Sequence, residues 1–366
     1  MQFAFTDEQE QFRDIVARFC RDKSPTTAVR KLTETDQGFD PGIWRQLCQE
    51  IGVTGIHIPE DRGGAGFSPV ELGIVMEEFG RSLIPVPYFS CAVLACTAVS
   101  EISENQIRES LLSQMASGDK LGTLVLEEER GTPLTGIECK ETDGEWALSG
   151  ISSHVLDGHL ADFILVIGKT AAGQSLFMVE ANASGLSAEP LHTMDRTRRQ
   201  ARMTFENVSA EKLCDLDESQ MDRIYNTALV SLANEMVGGA QALLDETLEY
   251  TKLRYQFGRS IASFQAIKHR MADLLVDVEL ARTAAYQAAQ SLAENDEDAA
   301  SNASLAKFVA AETYIKSALE AIQLHGGVGF TWENDTHLWF RRAKSSEVLL
   351  GSPAFNSERM LQEMQV

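Results

Sequence analysis

A cation, an amide and two aromatic rings occur close together after residue 253, and they could hold an anionic, ring-containing ligand. Arg254 is followed by Phe257, Gly258, Phe264 and Gln265. A guanidinium near helix ends suits a diphosphate, and a ring and an amide beside it can hold a flat heterocycle. Taken alone, these residues fit a capped helix junction with a surface arginine slightly better.

A second stretch, residues 323–330, reads Gln-Leu-His-Gly-Gly-Val-Gly-Phe and contains Gly326, Gly327 and Gly329. Glycines that follow a helical pattern indicate the end of a helix, and they also allow a ligand to approach the backbone closely. Both interpretations stay open for this stretch by itself. The two stretches together, in this order and at this separation, are more specific than either one alone.

The composition limits the partners. The 366 residues carry 32 Lys and Arg against 54 Asp and Glu, so the formal charge is −22. So acidic a chain repels phosphate backbones and anionic lipids, and we expect neither a nucleic acid nor a membrane as its partner. The sequence shows neither a long apolar run nor a secretion signal, which predicts a cytoplasmic protein. The six cysteines have no zinc-site spacing, which predicts buried free thiols and no metal.

The pattern of residues changes twice along the chain and predicts an α+β protein. Thr6 and Gln9 form a capping box before a helical pattern, and helical segments continue to about residue 118. Short β-branched and aromatic runs then predict strands, at residues 121–126, 163–167, 176–179 and 202–205. A long helical period follows and predicts a bundle, with helices at residues 218–255, 264–294 and 298–324 and one more near the end.

Four separated motifs resemble those of the acyl-CoA dehydrogenase family and extend over nearly the whole chain. They are residues 254–273, which begin Arg-Tyr-Gln-Phe-Gly; residues 323–331; residues 59–66 together with Glu-Glu-Phe-Gly-Arg at 77–81; and Met-Asp-Arg-Thr at 194–197. The resemblance implies the acyl-CoA dehydrogenase fold. That fold has an N-terminal helical domain, a middle β-barrel domain and a C-terminal four-helix bundle, which we expect at residues 1–118, 119–212 and 213–366.

The resemblance also implies a tetramer, FAD, and α,β-desaturation of an acyl-CoA thioester. In that chemistry a carboxylate removes the α-proton, and the β-hydrogen leaves as hydride to the flavin. An electron-transfer flavoprotein is the expected acceptor that reoxidises the flavin. In the family each FAD is shared: the flavin ring lies between the β domain and bundle of one subunit, and the adenosine diphosphate reaches into a neighbour's bundle.

The sequence departs from the family pattern at the catalytic base. One family position for the base glutamate corresponds here to Leu350, and a leucine cannot accept a proton. Other relatives carry the base on the first long helix of the bundle, at a position that aligns with Ala228, and the neighbouring family arginine corresponds to Leu229. We therefore assign no catalytic residue to this chain.

The flavin-facing segments of the β domain depart from the pattern as well. The family's Thr-Glu-Pro-x-x-Gly-Ser-Asp corresponds here to residues 126–133, Leu-Glu-Glu-Glu-Arg-Gly-Thr-Pro. The family's Trp-Ile-Thr beside the isoalloxazine corresponds to His154-Val-Leu156, so the indole and the hydroxyl are both missing. All these losses fall on the surface that would serve the chain's own flavin.

The residues that in relatives reach a neighbour's FAD are retained, namely Arg254, Phe257, Phe264, Gln265, Gln323, Gly326 and Gly327. The resemblance therefore implies the supporting subunit of an α₂β₂ acyl-CoA dehydrogenase, of the kind found in bacterial steroid side-chain degradation. A homologous partner subunit would supply the glutamate and bind most of the acyl-CoA substrate.

Two alternatives remain open. The chain could form a self-sufficient homotetramer in which Glu235 or Glu347 serves as the base, although a buried salt bridge and a solvent-facing carboxylate are the simpler roles for these two acids. It could also be a structural homologue without a redox role, but the retained Arg254, Gln265 and Gln323 argue against that.

Overall fold

The structure is a computed structural model that describes residues 5–58, 60, 64–103, 105–126, 136–171 and 173–364. By their internal contacts these residues form two compact units. One consists of Met1–Arg30, Gly73–Ile84 and Leu229–Val366, and the other of Lys31–Leu72 and Pro85–Ala228. The boundaries of the three expected domains remain a prediction.

Helices dominate both ends of the chain. The α-helices α1 to α11 are Asp7–Lys23, Thr26–Thr33, Pro41–Gln46, Pro69–Ser82, Cys96–Ser100, Gln106–Ala116, Glu218–Leu253, Gln265–Glu294, Ala299–His325, Thr336–Val348 and Pro353–Glu363. Two segments, Leu47–Ile51 and Phe89–Ala95, are π-helical, and short 3₁₀ turns occur at Val53–Gly55, Ile261–Ser263 and Gly326–Phe330.

The first helix begins at the predicted capping box. The Gln9 backbone N–H donates to Thr6 Oγ1 over 3.2 Å, and the Thr6 N–H donates to Gln9 Oε1 over 3.0 Å. These two bonds satisfy donors that the helix itself leaves without partners.

The long helices α7, α8 and α9 begin and end within two residues of their predicted bounds. The prediction of one helix near the end is wrong, because the structure has two. Leu350 and Gly351 adopt left-handed backbone angles, with φ of 57° and 91°, which end the helical path after α10. Ser352 Oγ then accepts the Phe355 N–H and caps α11, whose first residue is a proline.

Two glycines let α4 and α7 cross with their backbones in contact. A Cβ added to Gly80 would meet the backbone oxygen of Glu235, and a Cβ added to Gly238 would meet that of Glu77. Any larger residue at either position would force the two helices apart.

The predicted β-barrel is confirmed. Strands β1 to β7 are Gly122–Val125, Glu138–Thr142, Glu145–Leu156, Phe163–Thr170, Gly173–Glu180, Leu186–Pro190 and Gln200–Leu216. The pairings β4–β5, β5–β7, β7–β3, β3–β2 and β2–β4 close a ring, and β1 and β6 extend it. Closure leaves few free strand edges, which is how small barrels avoid unwanted pairing.

The barrel encloses an apolar core. Its side chains recur at every second position on β4, β5 and β7, as the period of two requires. The core consists of Val125, Ile137, Leu148, Val155, Ile164, Val166, Phe177, Val179, Met203, Phe205 and Val208. Strand β7 runs well beyond the predicted residues 202–205, and β3 lies outside the predicted strands. Both strands mix exposed and buried residues and therefore contain no long apolar run.

Candidate functional site

A strained hairpin follows α7 and carries the first predicted binding stretch. Strand β8, Tyr255–Gln256, pairs with β9, Arg259–Ser260, around a two-residue turn. Both turn residues have positive φ, 54° at Phe257 and 75° at Gly258. Such a turn suits glycine or asparagine, so a phenylalanine there is held in an unfavourable conformation. Phe257 is 91% exposed, so its ring is available for contact with a ligand or another subunit.

The hairpin presents rings and guanidinium groups to solvent. The Phe257 and Phe264 rings meet edge to face with their centroids 6.1 Å apart. The Arg259 guanidinium lies over the Phe264 ring at 3.9 Å from its centroid. Arg254 and Gln265 are also exposed, at the end of α7 and the start of α8. This surface offers apolar contact and positive charge together, a combination that suits a phosphate-bearing ligand.

The glycine turn after α9 is open to a ligand. Gly326 has φ of 63°, and no other group lies within 4 Å of a Cβ built on Gly326 or Gly327. Gln323 is exposed one turn before the glycines. The glycines end α9, and their open backbone is also accessible to a ligand, so both interpretations fit the structure.

The structure places the last turn of α7, which precedes Arg254, beside the glycine turn. Tyr250, in the last turn of α7, donates its hydroxyl to the His325 carbonyl oxygen over 3.2 Å, and the two rings stack 4.1 Å apart. His325 Nδ1 and the Ala321 carbonyl oxygen lie 2.7 Å apart. Burial lowers the His325 pKa, so the imidazole packs as a neutral ring. Sequence reasoning missed Tyr250, an aromatic residue one turn before Arg254.

Neither family position of the base carries a carboxylate. Leu350 is 6% exposed and Ala228 and Leu229 are fully buried, so none of the three presents a polar group.

Glu235 is engaged in a buried ion pair. The Arg342 guanidinium donates to Glu235 Oε1 over 2.8 Å, and the two side chains are only 6% and 4% exposed. A carboxylate that neutralises a buried guanidinium has a structural task. The salt bridge proposed as the simpler role of Glu235 is confirmed.

Glu347 also has a partner. Its Oε2 accepts a hydrogen bond from Lys344 Nζ over 3.0 Å, and its side chain is 27% exposed. It is therefore half-buried and ion-paired, where the sequence had favoured a solvent-facing carboxylate.

Two buried side chains donate hydrogen bonds to the backbone carbonyl oxygens of the turn that contains Leu350. Lys307 Nζ donates to the carbonyl oxygens of Glu347 and Gly351 over 3.3 and 3.2 Å. Asn356 Nδ2 donates to those of Leu350 and Gly351, each over 3.1 Å. Sequence reasoning missed both donors. These hydrogen bonds fix the turn, although Leu350, the residue at the family position of the base, is aliphatic.

On the β domain, His154 is exposed with φ of 64°, at an irregularity of β3 between Ser152 and Val155. Leu156 is buried, and its carbonyl oxygen accepts the Thr123 hydroxyl over 2.6 Å. Residues 127–133 of the altered flavin-facing segment lie outside the described residues, as do residues 59 and 61–63 of the N-terminal glycine motif.

Two further family motifs have structural contacts. Glu77 is 3% exposed and pairs with Arg13 and Arg282, and its carboxylate also accepts the Tyr286 hydroxyl. Asp195 Oδ1 accepts the backbone N–H and the hydroxyl of Thr197 over 2.9 and 2.6 Å, which fixes a turn before β7.

Within the described part of the chain no cluster of His, Cys, Asp or Glu could hold a metal ion. The same residues contain no helix of the length and hydropathy that a membrane span needs. All six cysteines are free; four are buried and Cys139 and Cys214 are half-buried. Burial raises the pKa of Cys20 and of Cys48 to about 12, so both stay protonated thiols at neutral pH.

The chain matches known proteins along nearly its whole length. Residues 6–119 match the acyl-CoA dehydrogenase N-terminal domain, and residues 220–364 match the acyl-CoA dehydrogenase C-terminal domain. The acyl-CoA dehydrogenase IpdE2 of Mycobacterium tuberculosis (strain H37Rv) is 36% identical over 349 residues, which cover 95% of this chain and 94% of that protein. IpdE2 of Mycolicibacterium smegmatis is 34% identical over 360 residues, or 98% and 99% of the two chains.

Two of the solved structures that resemble this chain are heteromeric complexes. The chain superimposes on a Tcur3481–Tcur3483 steroid acyl-CoA dehydrogenase with a TM-score of 0.90, 28% identity and 98% coverage of both chains. It superimposes on the ChsE4–ChsE5 complex from Mycobacterium tuberculosis with a TM-score of 0.92, 27% identity and coverage of 100% and 99%. Members of the matched family bind FAD and oxidise CH–CH groups of acyl-CoA thioesters. Two domain matches and the long alignment with IpdE2 show that the chain belongs to the acyl-CoA dehydrogenase family.

Proposed function

We propose that the chain is the supporting subunit of a hetero-oligomeric, FAD-dependent acyl-CoA dehydrogenase. It lends the adenosine-diphosphate half of an FAD site to a homologous partner subunit, and that partner carries the catalytic glutamate. The substrate is an acyl-CoA thioester bound mainly by the partner. An electron-transfer flavoprotein accepts the electrons.

The observation that carries the proposal is an asymmetry between two sets of residues. Leu350, Ala228 and Leu229 are apolar and buried where the family would place its base and the arginine beside it. Arg254, Phe257 and Gln265 are exposed, as are Gln323 and the two glycines after it, so a neighbouring subunit can use them.

The exposed set fits FAD chemically. Arg254 would pair with the diphosphate, and Phe257, Phe264 and Gln265 would lie beside it. Gln323 and the open backbone of Gly326 and Gly327 would receive the adenosine. When bound, FAD supplies the hydride acceptor of the reaction.

The named complexes support the assembly. Tcur3481–Tcur3483 and ChsE4–ChsE5 each pair two differently named chains, and the former is called a steroid acyl-CoA dehydrogenase. By analogy we propose an α₂β₂ heterotetramer whose substrate is a bulky thioester, such as the CoA ester of a steroid side chain.

Co-expression with a homologous subunit of the same genome that carries the glutamate tests this proposal. The complex should contain FAD and oxidise an acyl-CoA, whereas the chain purified alone should do neither. Dehydrogenation by the chain alone, abolished by Glu235→Gln or Glu347→Gln, would instead establish the self-sufficient homotetramer. A complex that lacks FAD would favour the structural homologue.

A matched pair of variants tests the contribution of Arg254 within the complex. Arg254→Gln should lower the FAD content and the dehydrogenation rate together, because the diphosphate loses its cation. Arg18→Gln removes the same charge from an exposed position on α1 and should change neither. Equal behaviour of the two variants would contradict the assignment of Arg254.

A further inference from the structure

Trp332 is the exposed member of the four tryptophans. Its side chain is 68% exposed, whereas Trp44 and Trp339 are 4% and 6% exposed and Trp146 is half-buried. A large apolar ring left in water near a binding surface costs hydration free energy unless a partner covers it.

The indole is held in place by its neighbours. The Arg341 guanidinium lies over the ring at 4.6 Å from its centroid. The His337 ring meets it edge on, with centroids 4.9 Å apart and planes at 71°. Burial and the nearby Arg30 and Arg341 lower the His337 pKa, so the imidazole is neutral at pH 7. One face therefore carries a cation, and the large exposure leaves the other available to a second flat group.

Trp332 follows the glycine turn directly. The 3₁₀ turn Gly326–Phe330 shortens the path, so the Cα atoms of Gly327 and Trp332 lie roughly 15 Å apart or less. An adenosine diphosphate can span that distance. Glu333, the next residue in the sequence, carries a charge opposite to that of Arg341, so the ring is the distinguishing group of this segment.

We propose that Trp332 stacks on the adenine ring of the FAD that this chain shares with its partner, and so adds an aromatic platform to the adenosine end of the site. This inference rests on the proposed function, since it needs the adenosine to lie at the glycine turn. A stacked purine would cover the exposed face and keep the cation on the opposite one.

Nucleotide binding to the purified full chain tests the inference, with ADP and UDP as probes and calorimetry as the readout. Stacking of a base on an aromatic side chain is worth about 1–3 kcal/mol, so Trp332→Ala should weaken ADP binding by roughly 5- to 150-fold. Trp332→Phe retains an aromatic ring, so its affinity for ADP should be much closer to that of the wild type. The preference for ADP over UDP should shrink in Trp332→Ala, because the larger purine gains more from the indole.

Tryptophan fluorescence supplies a second readout. ADP should quench the wild-type emission, and Trp332→Phe should abolish the change, because the other tryptophans are buried or half-buried. Leu280→Ala serves as the matched control. Leu280 is 60% exposed on α8 and lies about 22 Å along the helix from Gln265, so its removal should leave ADP binding unchanged.

The outcomes separate this inference from the proposed function. If Arg254→Gln weakens ADP binding but Trp332→Ala does not, the stacking role is wrong and the proposed function stands. If Trp332→Ala only weakens association with the partner subunit, the indole is a protein contact and the inference is overturned. If the wild-type chain shows no saturable ADP binding at all, the inference is overturned, and the FAD content of the complex with the partner subunit decides the proposed function separately.

Discussion

Glu235 and Arg342 are 107 residues apart in the sequence and form a buried ion pair in the fold. Replacing Glu235 with Gln would remove the negative charge from a buried ion pair, and breaking such a pair typically costs about 3–5 kcal/mol. We expect a loss of that order in the free energy of unfolding, measured in urea. Dehydrogenation by the assembled complex should persist at temperatures where the variant is folded. An inactive but fully stable variant would identify Glu235 as a base.

His57 should make the stability depend on pH. Burial lowers its pKa from 6.5 to about 4, and its Nδ1 is buried with no hydrogen-bond partner among the described residues. Because the unfolded chain takes up the proton near pH 6.5 and the folded chain does not, this stabilisation is complete above pH 6.5 and is lost as the pH falls toward 4.

The comparison of wild type with His57→Gln isolates that contribution, since the other groups titrate in both proteins. Between pH 6.5 and 5 the wild type should lose about 2 kcal/mol more unfolding free energy than the variant. Urea titrations at the two pH values measure the difference. Parallel losses in the two proteins would show that His57 titrates normally in the folded state.

At the level of elements, the turn between α10 and α11 depends on a fully buried lysine. Lys307→Met removes the ammonium donor from the Glu347 carbonyl oxygen, whereas the Gly351 oxygen keeps its bond from Asn356. Leaving this half-buried acceptor without its charged donor costs about 1–3 kcal/mol. We expect a destabilisation of that size in urea unfolding, together with faster amide hydrogen exchange at residues 349–356.

Lys344→Met is the matched control for that prediction. Lys344 is 37% exposed and makes a half-buried ion pair with Glu347 four residues before Gly351. Ion pairs of this kind contribute about 0–1 kcal/mol, so the free energy of unfolding of this variant should be close to that of the wild type. If both variants behave alike, Lys307 does not hold the turn.

The sequence predicted helices well where hydrophobic periodicity and helix-end signals agreed. Alanine-rich helical repeats and the glycines after His325 predicted α7, α8 and α9 closely. The division between α10 and α11 was missed, although Gly351-Ser352-Pro353 is a turn and cap signal. Contacts such as Lys307 with the Glu347 carbonyl join distant parts of the chain, and no local pattern encodes them.

In the candidate site, too, local sequence patterns were predictable and contacts between distant residues were not. The motifs identified Arg254, Gln265 and the glycine turn, because residue type and spacing express the chemistry directly. The contact between Tyr250 and His325 depends on how α7 packs against α9, and only the structure gives it.

At the scale of the whole molecule, the chain combines the fold of its family with apolar residues at the expected positions of the base. Both domain matches and the closed barrel of the described strands show the fold of the family. The base positions are apolar, whereas the exposed end of the bundle keeps a cation, rings and open backbone. Under the proposed function the chain is active only together with a partner subunit, so the number of FAD molecules per tetramer is the decisive property.

The number of flavins in the assembled tetramer tests this directly. The chain should be co-expressed with its homologous partner, and FAD should be counted by absorbance against the protein concentration and the mass of the complex. Because only the partner would house a flavin ring, the account predicts two FAD molecules per four chains. Four FAD molecules per tetramer would contradict it, since the altered β domain of this chain would then hold a flavin of its own.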